Sequence, residues 1–307
     1  MALQRVLTDF GADDSFATAS CKAKEHYGIE IPISGVRQQT LRHAKAIGAV
    51  EHEPPKQPVK TLITETDGCL LPIVTPAADP QVDHRKGKQL SWREARLCLS
   101  RSSESVDSVY GASFGTPKVV GWLWHQTACA AGLGTQSHVH GVGDGAQWIL
   151  NTFEEQFGAG QNSQANFTID FHHISEYLAA AALVIAPQSN KDWLHEQQTR
   201  LRQNRVEEVL SALSQHVEGP ELKEAPVRSA YQYIKKRREH LDYAGALAAG
   251  LPIGSGEVES GHRHVLQQRL KIAGAWWLER NAESMLQLRA VRASKDWENY
   301  WSQLQKN

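Results

Sequence analysis

Three acidic motifs carry residue types suited to metal-assisted phosphoryl transfer. Asp67 lies in "ETDGCLLPI", Asp144 in "GVGDGAQWI", and Glu257 and Glu259 in "LPIGSGEVES". Carboxylates are the hard oxygen donors that hold Mg2+ or Mn2+ while leaving positions open for water and phosphate. These acids come from distant parts of the chain, so they act together only if folding gathers them. Each also has a plainer reading. Asp-Gly at 67–68 is a favoured hairpin turn. An acid behind a Gly-Ser-Gly turn suits the positive N-terminal end of a helix. Glu257 and Glu259, two apart on a helix, point roughly 200° away from each other and do not face one metal pair together. Glu259 also stands three residues after Gly256, the spacing of a capping acid.

The elements that must position these acids follow from the hydrophobic pattern. "VKTLITETDG" alternates Val59, Thr61 and Ile63 with polar neighbours and reads as a strand running into Asp67. "CLLPIVTP" reads as its hairpin partner across a tight turn at Asp67-Gly68. "QLSWREARLCLSRS" is a third strand, with Ala95, Leu97 and Leu99 at alternate places, and "PKVVGWLWHQTACAAGL" a helix. A fourth strand, "SHVHGVGDG", ends at Asp144. "AQWILNTFEEQF" has the apolar spacing of an amphipathic helix, and "ANFTIDFHHISEYLAAAALVI" joins a strand to a helix. Residues 188–250 are polar, charged and helical throughout, and the chain is helical again from about Val258.

That order is the order of a ribonuclease H-like α/β domain. It predicts a mixed five-stranded sheet with flanking helices and an all-helical insertion before the last catalytic helix. In such an architecture an acid near the middle of the first strand lies beside one at the end of the fourth, and a third comes from a late helix. Asp67, Asp144 and Glu259 hold those positions. The expected organisation is a helical N-terminal region over 1–58, a first part of the core over 59–187, the helical insertion over 188–250 and the final helices over 251–307.

The N-terminal region reads as a helix ending at Gly28, a short turn, and a second helix with Ser34 as its N-cap. With Arg37 and Arg42 on the second helix, it has the outline of a helix-turn-helix; a small helical packing unit fits the same residues equally. "EHEPPKQP" (51–58) is a good boundary. The formal net charge of −1 argues against a uniformly cationic coat for nucleic acid. Cations do cluster locally, at "KKRR" (235–238) and after Glu259, where Arg263, Arg269 and Lys271 are candidate phosphate contacts against a solvated face as the alternative. Asp170 and His173 follow the fifth strand, where either DNA positioning or a structural role would place them. The spacing of Trp297, Tyr300 and Trp301 fits core packing, whereas Trp276 and Trp277 are open to base stacking. Four widely spaced cysteines suggest neither a zinc site nor a disulfide framework. The longest apolar run, 177–186, is too short to span a bilayer, and the start lacks a signal-peptide pattern, so cytoplasm is expected.

Five blocks recur together: "ETDGCLLPI", "GDGAQWI", "IDFHHISEYL", "YAGALAAGLPIGSGEVES" and "LKIAGAWWLERNAESMLQLRAVRASKDWENYW". In that order they resemble the signature blocks of DDE transposases of ISKra-type bacterial insertion sequences, over about residues 58–301. The resemblance implies Asp67, Asp144 and Glu259 as the catalytic and metal-binding acids, with Glu257 at the variable position of P-I-G-S-G-x-V-E. It implies two Mg2+ ions, for which Mn2+ substitutes, and cleavage and strand transfer of double-stranded DNA at element ends. It further implies assembly as a homodimer or larger on DNA, association with the nucleoid when bound, and neither a membrane nor an organic cofactor. Gly254 and Gly256 then permit a tight turn close to the site. Family members often carry a cysteine-paired zinc-binding segment ahead of this region. No such pairs occur here, so recognition of element ends is not carried over. A DNA-binding derivative or regulator without catalysis, and a nuclease of the same fold without strand transfer, are the alternatives.

Overall fold

The computed structural model describes residues 2–47, 57–76, 87–160, 164–294 and 296–306. Three helices open the chain: α1 (Ala2–Asp13), α2 (Phe16–Tyr27) and α3 (Ile33–Ala46). Strands β1 (Thr61–Thr75), β2 (Gln89–Ser102) and β3 (Val109–Ser113) follow, then α4 (Pro117–Ala130), β4 (His138–Gly143), α5 (Gln147–Phe157), β5 (Gln164–Ile169) and α6 (Phe171–Ile185). Next come α7 (Asn190–Arg202), α8 (Val206–Ser214), α9 (Pro226–Arg237) and α10 (Tyr243–Ala248). The last section holds α11 (Gly256–Gly261), a π-helical stretch (His262–Gln267), α12 (Gln268–Leu270), α13 (Glu279–Ala293) and α14 (Trp297–Lys306).

The protein is α/β, and its five strands hydrogen-bond in the order β3-β2-β1-β4-β5. The sheet is mixed. β2 and β3 run antiparallel, with Arg96 opposite Ser113 and Ser100 opposite Val109, whereas β4 and β5 run parallel from His138–Gln164 to Gly143–Ile169. This arrangement is compatible with a ribonuclease H-like fold.

Two sequence expectations fail within the sheet. No hairpin turns at Asp67-Gly68, because β1 continues through both residues to Thr75. Leu71 and Ile73 keep the alternating burial of a strand, and a Cβ on Gly68 would meet Glu94 Oε1 at 2.6 Å. The glycine therefore admits a neighbouring side chain instead of reversing the chain. The partner is β2, whose Ser91 and Leu97 reach Ile73 and Thr66. The second miss is β3, a five-residue strand that the sequence reading passed over.

The chain divides into two compact units. The first comprises residues 1–62, 66–134 and 257–307; the second comprises 63–65 and 135–256. In the first, Leu71, Leu97, Leu99, Leu266, Met285, Leu288 and Trp301 share one core, and α1–α3 close a smaller one around Leu7, Ala19 and Val36. Helix α3 begins after Pro32 rather than at Ser34, which lies inside the helix; Pro32 sets an extended entry and makes no side-chain cap. The expectation of an N-cap at Ser34 is therefore corrected. The boundary expected at 51–58 falls, up to residue 56, outside the described residues. In the second unit, Val139 and Val142 of β4, Phe167 and Ile169 of β5, Ile149, Phe153 and Phe157 of α5, and Leu178 of α6 are buried. Within residues 190–248 the α-helices are α7 to α10, joined by turns. Among the described residues, no helix is long and apolar enough to cross a membrane.

Candidate functional site

Asp67 sits mid-strand, with its side chain one-third exposed and Oδ2 3.4 Å from His262 Nε2 on the π-helical stretch. Burial disfavours a charge on this imidazole, but Asp67 and the Cys69 thiol outweigh it and hold it up at about 9. Asp67 thus favours the cationic form of the ring beside it. The sequence reading passed over His262, although its place three residues after Glu259 in "VESGHRH" was visible. A π-helical turn widens the helix locally and often accompanies a functional site.

Glu259 lies in the same unit, exposed on α11. Its neighbour Glu257 is spent otherwise. Arg101 Nε donates to Glu257 Oε1 at 2.9 Å and Oε2 at 2.8 Å, Arg101 Nη2 adds a further bond, and Ser108 Oγ donates to Oε2 at 3.3 Å. The other Arg101 amine donates to the Ser102 and Ser105 carbonyls. A forked guanidinium on a carboxylate is a strong, directional pair, and it fixes the first turn of α11 on β2. One acid of "GEVES" thus anchors the helix while the other points to solvent.

Asp144 belongs to the second unit, at the first position after β4. Its Oδ1 accepts the Ala146 amide at 2.8 Å, an Asx-type turn leading into α5. Gly145 has φ +71°, and a Cβ there would meet Ile169 Cδ1 at 2.3 Å, so the turn requires glycine. Two side chains of α9 hold the turn from outside. The Tyr233 hydroxyl donates to the Asp144 carbonyl, and Arg237 Nε donates to the Gly145 carbonyl at 2.8 Å. Arg237 lies 4.0 Å over the Tyr233 ring, whose other face stacks on Tyr177 at 4.4 Å. Burial raises the Tyr233 phenol well above its usual value, so it remains a donor. Composition hid these contacts: Arg237 read as one of four cations in "KKRR", and nothing in the local pattern set it apart.

Asp170 caps α6. Oδ1 accepts the His172 and His173 amides at 2.6 and 3.1 Å; Oδ2 accepts the Ser255 amide at 2.7 Å and the Ser255 hydroxyl. Burial pushes its pKa up, yet these four bonds overcome that and hold the carboxyl below its ordinary value. Of its two sequence readings, the structural one accounts for every contact described. His173 packs against Tyr177 and Tyr233. A Cβ on Gly254 would approach His172 Cδ2 at 3.0 Å, and one on Gly256 would meet nothing within 4 Å. Neither has a left-handed φ; in this stretch Gly250 does.

The candidate DNA contacts divide. Arg37 and Arg42 are exposed on α3, and Arg263 and Lys271 are exposed in the last section. Arg269 is 2% exposed, donates to the Gly11 carbonyl at 2.9 Å and lies over Phe16 and Trp277. It satisfies the C-terminal end of α1, so the expectation that it contacts phosphate is corrected. Arg289, also buried, donates to the Ala12 carbonyl at 3.3 Å and pairs with Asp13. Trp297 and Trp301 are core residues as their spacing implied, Trp277 is buried, and Trp276 is exposed.

Three carboxylates suit a hard divalent cation in donor chemistry. Among the described residues, no group of three or more His, Cys, Asp and Glu side chains is placed to hold a metal ion.

No protein-family model matches the sequence, and no curated protein is similar to it. Among solved structures, the chain is similar to a Drosophila P element transposase strand transfer complex. The identity is 11% and the TM-score 0.35, over 99% of this chain and 80% of that one. A likeness of that size carries no argument about activity.

Proposed function

We propose that the chain is a DDE transposase of the ISKra-type insertion sequences, with a ribonuclease H-like catalytic domain that cleaves and joins DNA. The observation that supports this most is positional. The acids of the five ordered blocks fall inside β1, directly after β4, and on the helix that follows the all-helical segment. In this reading Asp67, Asp144 and Glu259 hold the divalent ions. A divalent ion held by these acids would supply activation of water or of a 3′-OH and stabilisation of the leaving oxygen. Glu257 and Arg101 hold the helix that presents Glu259. Arg263 and Lys271, with Arg37 and Arg42 on α3, take phosphates of the DNA, and α1–α3 serve as the DNA-reading region. Assembly on paired ends belongs to the same reading.

A DNA-binding chain without catalysis is the rival, and the His262–Asp67 pair favours it, because it gives Asp67 a partner with no metal. Asp144→Ala separates the two. The transposase reading expects DNA binding to persist and Mg2+-dependent cleavage to vanish. Wild-type protein that binds DNA and never cuts it supports the rival. A pre-cleaved 3′-OH end supplied as substrate yields a joined product from a transposase and none from a nuclease.

A further inference from the structure

We infer that the face of β1 and β2 carrying Trp92, joined by Trp276, takes the bases of an unpaired DNA strand. This rests on the DNA-handling part of the proposed function and uses neither its acids nor a metal. Leu71 and Ile73 of β1, Ala95 and Leu97 of β2, and Trp277 share one buried core. Side chains alternate along a strand, so Leu70, Leu90 and Trp92 point to the opposite face. Trp276 joins them, because Trp277 bridges Ile73 in parallel and its carbonyl accepts the Val74 amide at 2.9 Å. These four side chains are each more than half exposed. β3 pairs with β2 from Arg96 to Ser100, so the first half of β2 extends past it.

Exposed apolar area of this kind marks an interaction site, and the charges around it say what covers it. Lys88 Nζ lies over the Trp276 ring, and Lys271 Nζ stands 5.8 Å from the centre of the Trp92 ring. Two acids that flank the rings in sequence, Glu94 and Glu279, are neutralised by Arg96 and Arg93. That leaves the lysines to meet an anion. An indole with an ammonium beside it suits a nucleotide on both counts, since the base stacks on the ring and the phosphate meets the cation. Lysine is a flexible point charge, so Lys88 can yield the Trp276 ring to a base and follow the phosphate. A protein partner fits less well, because interfaces enriched in aromatic residues are depleted of lysine. In a duplex each base is already stacked on its neighbours, so the two indoles gain bases only from a strand that is unpaired.

The experiment measures binding of the protein to a labelled thymidine strand of about 12 nucleotides and to a duplex of equal length, by fluorescence anisotropy without divalent ions. Trp92→Ala and Trp276→Ala are each expected to weaken binding of the single strand by about 10-fold, and to lower its preference over the duplex by a similar factor. Trp92→Phe and Trp276→Phe keep a stacking ring and should recover part of the loss. Replacing both lysines, by Lys88→Gln and Lys271→Gln, should flatten the salt dependence of single-strand binding by roughly 1.4 in log–log slope. Thermal unfolding of the tryptophan variants should stay near wild type, because both rings are exposed. Unchanged single-strand affinity in the folded alanine variants overturns the inference; a wild-type dimer that dissociates in Trp92→Ala at that unchanged affinity assigns the face to a second copy instead. Wild type that binds the duplex and ignores the single strand overturns the inference alone. Wild type that binds neither overturns the proposed function with it.

Discussion

Asp67 and Asp144 occupy contrasting settings. Asp67 lies inside a 15-residue strand whose neighbours fix its backbone, and its carboxylate lies 3.4 Å from His262. Asp144 lies beyond the end of a six-residue strand, in a turn whose carbonyls are held by Tyr233 and Arg237. One acid is placed by the sheet and the other by side chains that arrive from roughly 90 residues later in sequence. The difference teaches where each site is vulnerable. Changes around Asp67 act through the strand and the helix carrying His262, whereas changes around Asp144 act through a distant helix.

The largest effect expected is loss of the acids themselves. Asp67→Asn, Asp144→Asn and Glu259→Gln should each lower DNA cleavage by about 1,000-fold or more, while thermal unfolding of Asp144→Asn and Glu259→Gln stays near wild type. A variant that cuts at more than a tenth of the wild-type rate breaks the equivalence of the two aspartates. Glu257→Gln is the contrast within one helix. It leaves Arg101, mostly buried, without its charged partner, so it should cost about 1–2 kcal/mol in urea unfolding. An unfolding cost in Glu259→Gln as large as in Glu257→Gln would erase the division of labour between them.

Asp170→Ala should cost more than Glu257→Gln. It removes the cap of α6 and strands the amides of His172, His173 and Ser255, at about 3 kcal/mol. A loss below about 1 kcal/mol by urea titration would show that the cap is dispensable.

How much of this was legible in sequence depends on the range of the interaction. Amphipathic spacing marked α5 and the run into α6, and alternation marked β2 from Gln89 to Ser102, because those signals are local. The Asp-Gly pair at 67–68 misled for a tertiary reason: its turn propensity yields to pairing with β2, where Glu94 fills the space beside Gly68. A hairpin placed where none exists and a missed β3 left the strand count unchanged. Arg269 illustrates the same limit, since its use is set by the end of α1, more than 250 residues earlier. The three candidate acids stand in motifs that are visible in sequence. The side chains beside them, Arg101, Tyr233 and Arg237, do not, since each acts through a partner remote in sequence.

The smallest effect concerns His43 in the first unit. Burial and then Arg42 lower its pKa to about 4. Gln39 Nε2 donates to its Nε2 at 2.7 Å, leaving Nδ1 to donate to the Tyr300 hydroxyl at 2.6 Å. Because the folded pKa lies below the unfolded one, the contribution is complete above pH 6.5 and is lost as pH falls toward 4. Wild type should lose about 1 kcal/mol more than His43→Gln between pH 7 and 4.5, after discounting for solvent screening. Parallel pH profiles for the two proteins would remove His43 from the account.

The most direct measurement is a crystal of the wild-type protein soaked in Mn2+ and recorded at the manganese edge. The account predicts anomalous density about 2.1 Å from carboxylate oxygens of Asp67, Asp144 and Glu259, lost in Asp144→Asn. Density that avoids all three acids, or that survives in Asp144→Asn at full height, would contradict it.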